Sequence, residues 1–337
     1  MAVIAVTGRP AVSAILVNWN GAHHLRSCLP SLLSQSITSL EMIVVDNGSK
    51  DDSVEVAREF GARWLPLGKN LGLGPGLNRG AAEAAGDFLL FINNDMRFDP
   101  GFVAALLEPM QENKEIFATD GMQFNWDGSE RGHLATRLVR KKPTRRRSST
   151  ELVPGLYFYA EEGNQQTPVF TASAACMLAR KELFQKLRGF DNRLPLGYED
   201  VEICWRAWIR GWKTVYVPNA ICWHKVGSSG HSEEGMLMNF RGILRGRLVL
   251  ASKLLPPKYA LRTWLVSTLG LAKDIGTLRW KFAIDRTETL VAVAGMLPEL
   301  LREKAKLFSE SGSTPAQHLE MLLRLSDQDS GADRGAS

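Results

Sequence analysis

Cysteine is scarce in this 337-residue chain, and the four present, Cys28, Cys176, Cys204 and Cys222, form no CxxC pair. That pattern excludes a zinc ribbon or a dithiol redox centre and reads as reduced, buried thiols of a cytosolic protein. Long apolar runs are missing too. The longest uncharged stretches, 263–272 and 289–298, fall short of the roughly 20 residues that cross a bilayer, so no spanning helix is expected. Only Arg9 precedes the first apolar run, with no small-residue cleavage pattern behind it, so no secretory leader is expected. No Walker lysine loop, HExxH or GxSxG occurs. With 45% hydrophobic and 23% charged residues, the composition excludes a disordered or collagen-like chain.

What is present is alternation. From residue 12, short apolar runs (12–18, 41–46, 63–67 and 87–92) are separated by segments of helical period (22–35, about 51–60, and an Ala-rich segment ending near Gly86). This pattern predicts a doubly wound α/β half-domain. Asp99-Pro100 carries the signature of a helix start. Further on, 169–178, 213–217 and 220–223 read as strands, and 181–186 and 199–210 as helices. The stretch 125–167 reads as loop, with a mobile basic run at 137–147. Beyond about residue 236, Leu237, Phe240, Leu244, Leu248, Ala251 and Leu255 recur at helical spacing. The expected organisation is an α/β domain over 12–235, a basic helical region over 236–309 and a flexible tail over 310–337 with only a short helical patch at 319–325.

In an open parallel sheet, ligands sit beyond the carboxyl ends of the strands. Four polar clusters fall at such ends: Asn18-Trp19-Asn20, Asp46-Asn47-Gly48-Ser49, Asn93-Asn94-Asp95, and Trp223-His224. Each alone is ordinary turn chemistry; together they outline a site. A dinucleotide fold is disfavoured. Gly72-Leu-Gly74-Pro-Gly76 is not GxGxxG, follows the third strand rather than the first, and loses a backbone donor at Pro75.

Over roughly residues 12–235 the chain resembles the inverting family 2 glycosyltransferases of the GT-A fold, in particular their rhamnosyltransferase-like branch. The resemblance rests on Val17-Asn-Trp-Asn-Gly21, Val44-Val-Asp-Asn-Gly-Ser49, the 70–87 stretch with Asn78, Phe91-Ile-Asn-Asn-Asp95, Gly189-Phe-Asp191 with Gly197-Tyr-Glu-Asp200, and His224-Lys-Val-Gly-Ser-Ser229. It implies a GT-A sheet flanked by helices, with a C-terminal helical appendage. Asp46 is expected to read the nucleobase. Asn18, Trp19, Asn20, Asn47, Asn78, Asn93 and Asn94 are expected around the nucleotide and diphosphate, and Asp95 and His224 as ligands of a divalent cation (Mg²⁺ or Mn²⁺). Asp200 is expected as the base that deprotonates the acceptor, with Glu199 orienting the acceptor side. Asn93 stands where the family's DxD motif opens with an aspartate, which weakens the expected metal dependence.

The implied activity is inverting transfer of a sugar, rhamnose in this branch, from a dTDP- or UDP-sugar to a glycan or lipid-linked acceptor of cell-surface polysaccharide synthesis. The alternative is a non-catalytic nucleotide-sugar-binding protein on the same fold. The net charge of +5 is unevenly placed: residues 237–286 hold ten basic and two acidic residues, and 137–147 hold seven basic and none acidic. The remainder is therefore net acidic. A nucleic-acid partner is not expected, because no reader motif or interleaved aromatic pattern accompanies the basic stretches. A peripheral contact with the cytoplasmic face of a membrane is expected of the basic helices.

Overall fold

The computed structural model describes residues 11–37, 39–129, 131–133, 135–140, 142, 149–161, 163–194, 197–225 and 233–328. The apolar runs become strands and the helical-period segments become helices. In order, the first half holds β1 (Val12–Asn18), α1 (Ala22–Leu33), β2 (Leu40–Asp46), α2 (Ser53–Glu59), β3 (Arg63–Pro66), α3 (Leu73–Glu83), β4 (Phe88–Asn93), β5 (Met96–Phe98) and α4 (Phe102–Glu112). Then come β6 (Ile116–Asn125), β7 (Arg131–His133), β8 (Ala135–Val139), β9 (Ser149–Val153), β10 (Leu156–Glu161), β11 (Thr167–Pro168), β12 (Cys176–Arg180), α5 (Lys181–Lys186), α6 (Glu199–Ile209) and β13 (Lys213–His224). Four helices close the chain: α7 (Glu233–Leu254), α8 (Pro257–Gly276), α9 (Trp280–Ser311) and α10 (Pro315–Gln328).

The main sheet runs β11-β13-β6-β12-β4-β1-β2-β3. Strands β4, β1, β2 and β3 are parallel, β12 is antiparallel between β4 and β6, and β13 is parallel to β6. The chain winds outward through β1, β2 and β3, then crosses to β4 on the other side of β1. The crevice beyond the ends of β1 and β4 is thus a topological switch point, where open α/β sheets bind ligands. Helix α3 lies very close to this part of the sheet. A Cβ on Gly80 would stand 2.4 Å from Ile15 Cγ2, and one on Gly76 2.8 Å from Val17 Cγ2. The glycines at these two positions therefore serve helix-to-sheet contact.

Three expectations are corrected. The 125–167 stretch is not all loop: β8, β10 and β9 form a separate antiparallel sheet. Within its basic run, Arg137 is buried and donates from Nη1 to Pro168 O at 2.6 Å, and Arg140 pairs with Glu320 of α10. Residues 141 and 143–148 of that run lie outside the described residues. The strand expected at 169–178 begins only at Cys176. Before it, Val169 N and Phe170 N still reach backbone carbonyls, Thr214 O and Thr136 O, but Thr171 N goes to Thr136 Oγ1 at 3.0 Å and Ser173 N to Asp120 Oδ2 at 3.1 Å, which breaks the ladder. Finally, the expected flexible tail is helical over α10, which buries Leu319, Leu322 and Leu323; an apolar stripe at helical spacing outweighs the polar composition around it. Residues 329–337 lie outside the described residues.

One apolar cluster joins Leu152 and Leu156 of the small sheet, Trp205 and Trp208 of α6, Leu248 of α7, Leu300 of α9 and Leu322 of α10. The change of sequence character near residue 236 is thus not a break in packing, and α6 is held from both sides.

Candidate active site

Pairing register places the polar clusters side by side. Asn18 lies opposite Asp46 across β1 and β2, and Val17 lies opposite Asn93 across β1 and β4. Most of the asparagines face inward, their amides taken up within the protein. Asn18 is fully buried, donates to Ser49 Oγ and Ser53 Oγ, and accepts from Asn94 Nδ2 at 2.7 Å. Asn47 holds the following loop, donating to Gly72 O and accepting from Leu71 N. Asn20, at φ +52°, accepts from Lys50 N at 2.8 Å. The Asp46 carboxylate accepts from Gly48 N and Ser49 N. These residues build the wall of the crevice by fixing its turns. Trp19, 59% exposed, and Asn20 are the side chains of the group that reach the surface.

Asn78 was expected at the diphosphate. Its amide instead donates to Phe190 O and Asn192 Oδ1, both at 2.8 Å, and accepts from Phe190 N at 2.9 Å. It ties α3 to the 189–193 loop.

At the end of β4 the side chains converge with those of β13. His224 Nε2 lies 3.1 Å from Asp95 Oδ1 and 3.4 Å from Asn93 Nδ2. His224 Nδ1 lies 3.0 Å from Gln123 Oε1; in the tautomer that donates from Nδ1, Nε2 is the acceptor for Asn93 Nδ2. Asp95 Oδ1 is buried and lacks a hydrogen bond despite its ion-pair distance to the imidazole. A proton on Nε2 or a bound cation would each bridge these two atoms. Among the described residues no group of three His, Cys, Asp or Glu side chains is gathered as a cage. One carboxylate and one imidazole suit an ion that completes its shell on substrate phosphates.

The carboxylates of α6 stand close by. Asn93 N donates to Ala175 O at 3.1 Å, and the neighbouring Ala174 N approaches Asp200 Oδ2 at 3.4 Å. The Asp95 and Asp200 sides of the crevice are therefore joined through two adjacent residues. Asp200 opens α6 together with Glu199 and Glu202, where negative charge is favoured by the helix N-terminus. Glu199 is buried and accepts from Gly197 N at 2.7 Å and Tyr198 N at 3.0 Å, so it shapes the loop before the helix. Burial and the Asp200 charge push its carboxyl up to about 8, against the pull of these backbone donors.

One contributor beside His224, Gln123, went unseen in the sequence. Gln123 of β6 orients His224, and its Nε2 reaches Cys176 Sγ at 3.7 Å; Cys176 in turn donates to buried Asp120 at 3.1 Å. A hydrogen bond with Cys222, together with burial, pushes the Cys176 thiol up. Only the register of β13 against β6 reveals this relay. Behind the site, Arg206 forms a bidentate pair with Glu202, and Lys253 of α7 bridges Glu202 and Asp191, each at 2.7 Å. Arg193 and Glu303 of α9 extend the network. It borders a cavity of about 750 Å³ between the 187–193 loop, the C-terminal end of α6 and α9.

The model of the family described as "Glycosyl transferase family 2" matches residues 13–188. The N-acetylglucosaminyl-diphospho-decaprenol L-rhamnosyltransferase of Mycobacterium tuberculosis is 30% identical over 240 residues, spanning 64% of this chain and 76% of that protein. The poly-beta-1,6-N-acetyl-D-glucosamine synthase of Staphylococcus epidermidis is 21% identical over 216 residues, 63% of this chain and 49% of the synthase. Among solved structures, GalNAc-T7 with UDP, GalNAc and Mn²⁺ superposes with a TM-score of 0.63 at 16% identity, over 94% of this chain and 57% of that one. The mannosyltransferase PcManGT of Pyrobaculum calidifontis with GDP-Man and Mn²⁺ gives 0.53 at 16% identity, over 96% and 88%. Both establish the GT-A fold.

Proposed function

The chain belongs to glycosyl transferase family 2, and from that membership we propose an inverting sugar transfer from a nucleoside-diphosphate donor to a glycan or lipid-linked acceptor, with Asp200 as the base. The observation that supports the reading is the Asp95–His224 pair at 3.1 Å beyond the end of β4, with Asp200 at the start of α6 linked to the backbone of Asn93 through Ala174 and Ala175.

The donor's base lies against Trp19 beside the Asp46 turn, where an exposed indole offers a stacking face. Asp95 and His224 are the residues to hold a divalent cation, which when bound offsets the charge gathering on the leaving diphosphate. Asn93 contributes a hydrogen-bonding amide without adding charge. On the other side, Asp200 accepts the proton of the acceptor hydroxyl as its oxygen bonds to the anomeric carbon. The bond to the diphosphate breaks, and its electron pair leaves with the phosphate. Attack opposite the leaving group inverts the configuration. Neutral, protonated Glu199 fixes the Gly197–Tyr198 turn without competing for that proton.

The mycobacterial relative, named for rhamnosyl transfer to N-acetylglucosaminyl-diphospho-decaprenol, supports rhamnose as the sugar and a polyprenyl-diphosphate-linked sugar as the acceptor. The test is a panel of nucleotide sugars with Mn²⁺ and an N-acetylglucosaminyl-diphospho-polyprenol acceptor, read by nucleoside-diphosphate release and by proton NMR of the product's anomeric centre. Release with inversion is expected; retention of configuration, or donor binding without release across the panel, contradicts the proposal.

A further inference from the structure

Helix α8 is amphipathic the wrong way round for a helix in water. The residues it buries are Tyr259, Thr263, Ser267 and Asp274. Thr263 and Ser267 turn their hydroxyls back onto the helix, to Tyr259 O and Thr263 O, both at 2.7 Å, while Asp274 is held by Arg286 Nε at 2.8 Å. Its outward face is apolar: Leu261 is 73% exposed, Leu265 58% and Leu269 61%. The turn into α9 continues this surface with Leu278, 72% exposed, and Trp280, 56% exposed. Leu278 sits at φ +57°, a conformation that suits glycine and is strained for leucine. Large apolar side chains held outward from Leu261 to Ile275, about 20 Å of helix, mark a surface that meets something other than water.

The charges around this face identify what it meets. Lys258, Arg262, Lys273, Arg279 and Lys281 are exposed, whereas the two acidic residues between 257 and 286, Asp274 and Asp285, are buried and paired with Arg286 and Arg241. A second copy of this chain meeting the same face about a twofold axis would set like charges against like. An anionic lipid surface meets both features. Leucines and Trp280 enter the acyl boundary, and lysine and arginine stems reach back to the headgroups. No described helix is long and apolar enough to cross a membrane.

We propose that α8 and the α8–α9 turn form a docking face for an anionic lipid bilayer, with the helix lying in the interface and Leu278 and Trp280 at its leading edge. This face does not depend on the transfer reaction, although it would present the crevice to a lipid-linked acceptor.

The test uses the full chain and vesicles of phosphatidylcholine alone or mixed with phosphatidylglycerol. Flotation should show binding to the mixed vesicles, weakened by high salt. Leu265→Glu with Leu269→Glu should lower that partition at least about tenfold, with the thermal midpoint unchanged because both side chains are exposed. Lys258→Glu with Arg262→Glu should lower it on the mixed vesicles. Absence of binding to anionic vesicles overturns the proposal. So does a wild-type dimer, detected by light scattering, that the leucine substitutions convert to monomer, since a second copy would then cover the face. Partition is read without turnover, so failure here is distinct from failure of the proposed transfer reaction.

Discussion

His224 Nε2 stands 3.1 Å from Asp95 Oδ1, a buried oxygen that accepts no hydrogen bond, while His224 Nδ1 is held by Gln123 Oε1 at 3.0 Å. Gln123 thus holds the imidazole ring with Nε2 toward the carboxylate.

Binding of Mn²⁺ in the presence of a nucleoside diphosphate should therefore be lost in Asp95→Asn and in His224→Ala. Gln123→Leu, which leaves both ligands in place but frees the ring, should weaken the ion about 10–100-fold, the range typical of outer-shell partners. Electron paramagnetic resonance of free Mn²⁺ during titration reads all three variants. Wild-type affinity in Gln123→Leu would remove the orienting role.

Glu199 gives the protein a pH signature. An unfolded chain ionises this carboxyl near its reference value of about 4.3, whereas the folded protein holds the proton up to about 8. Between these values the native state binds the extra proton, so the residue's contribution to stability falls as pH rises and levels off above the upper value. Glu199→Gln keeps an oxygen for the Gly197 and Tyr198 N–H groups. It should melt above the parent at alkaline pH, with the difference closing toward the lower value. Thermal melts across that window would show the reverse trend if the carboxyl were ionised in the fold.

Two glycine substitutions should move stability in opposite directions. Gly80→Ala places a methyl 2.4 Å from Ile15 Cγ2 and 2.9 Å from Val45 Cγ2, and should cost about 1–3 kcal/mol by overpacking. Gly295→Ala, in the middle of α9 with nothing within 4 Å of the added Cβ, should gain up to about 1 kcal/mol from helix propensity. Urea unfolding measures both.

Removing Arg206 tests the scaffold behind the site. Its guanidinium pairs with fully buried Glu202 and donates to Leu187 O and to Gly189 O. Arg206→Ala leaves that carboxylate with Lys253 alone at 2.7 Å, and should destabilise by about 3–5 kcal/mol. A loss below about 1 kcal/mol in denaturant unfolding would show that Lys253 suffices.

The parallel half of the fold was legible because strands such as β1 and β4 are continuous apolar runs ended by Asn or Asp, a pattern that water and sterics impose locally. The small sheet was not. Its strands sit in a basic, polar stretch and owe their place to packing of Leu152 and Leu156 against α6 and α7, partners distant in the chain. The site divided in the same way. The placement of Asp95 and His224 at strand ends and of Asp200 at a helix start was readable. The inward turn of Asn18, Asn47 and Asn78 was not, because an amide's partners are set by register and loop closure. Gln123 was hidden for the same reason.

The most direct measurement is single-turnover transfer by Asp200→Asn, with donor affinity followed by calorimetry. Loss of the general base should lower the transfer rate about 10²–10⁴-fold while the donor dissociation constant stays near that of the parent. A transfer rate within a few-fold of the parent's in Asp200→Asn would contradict the assignment of Asp200 as the base.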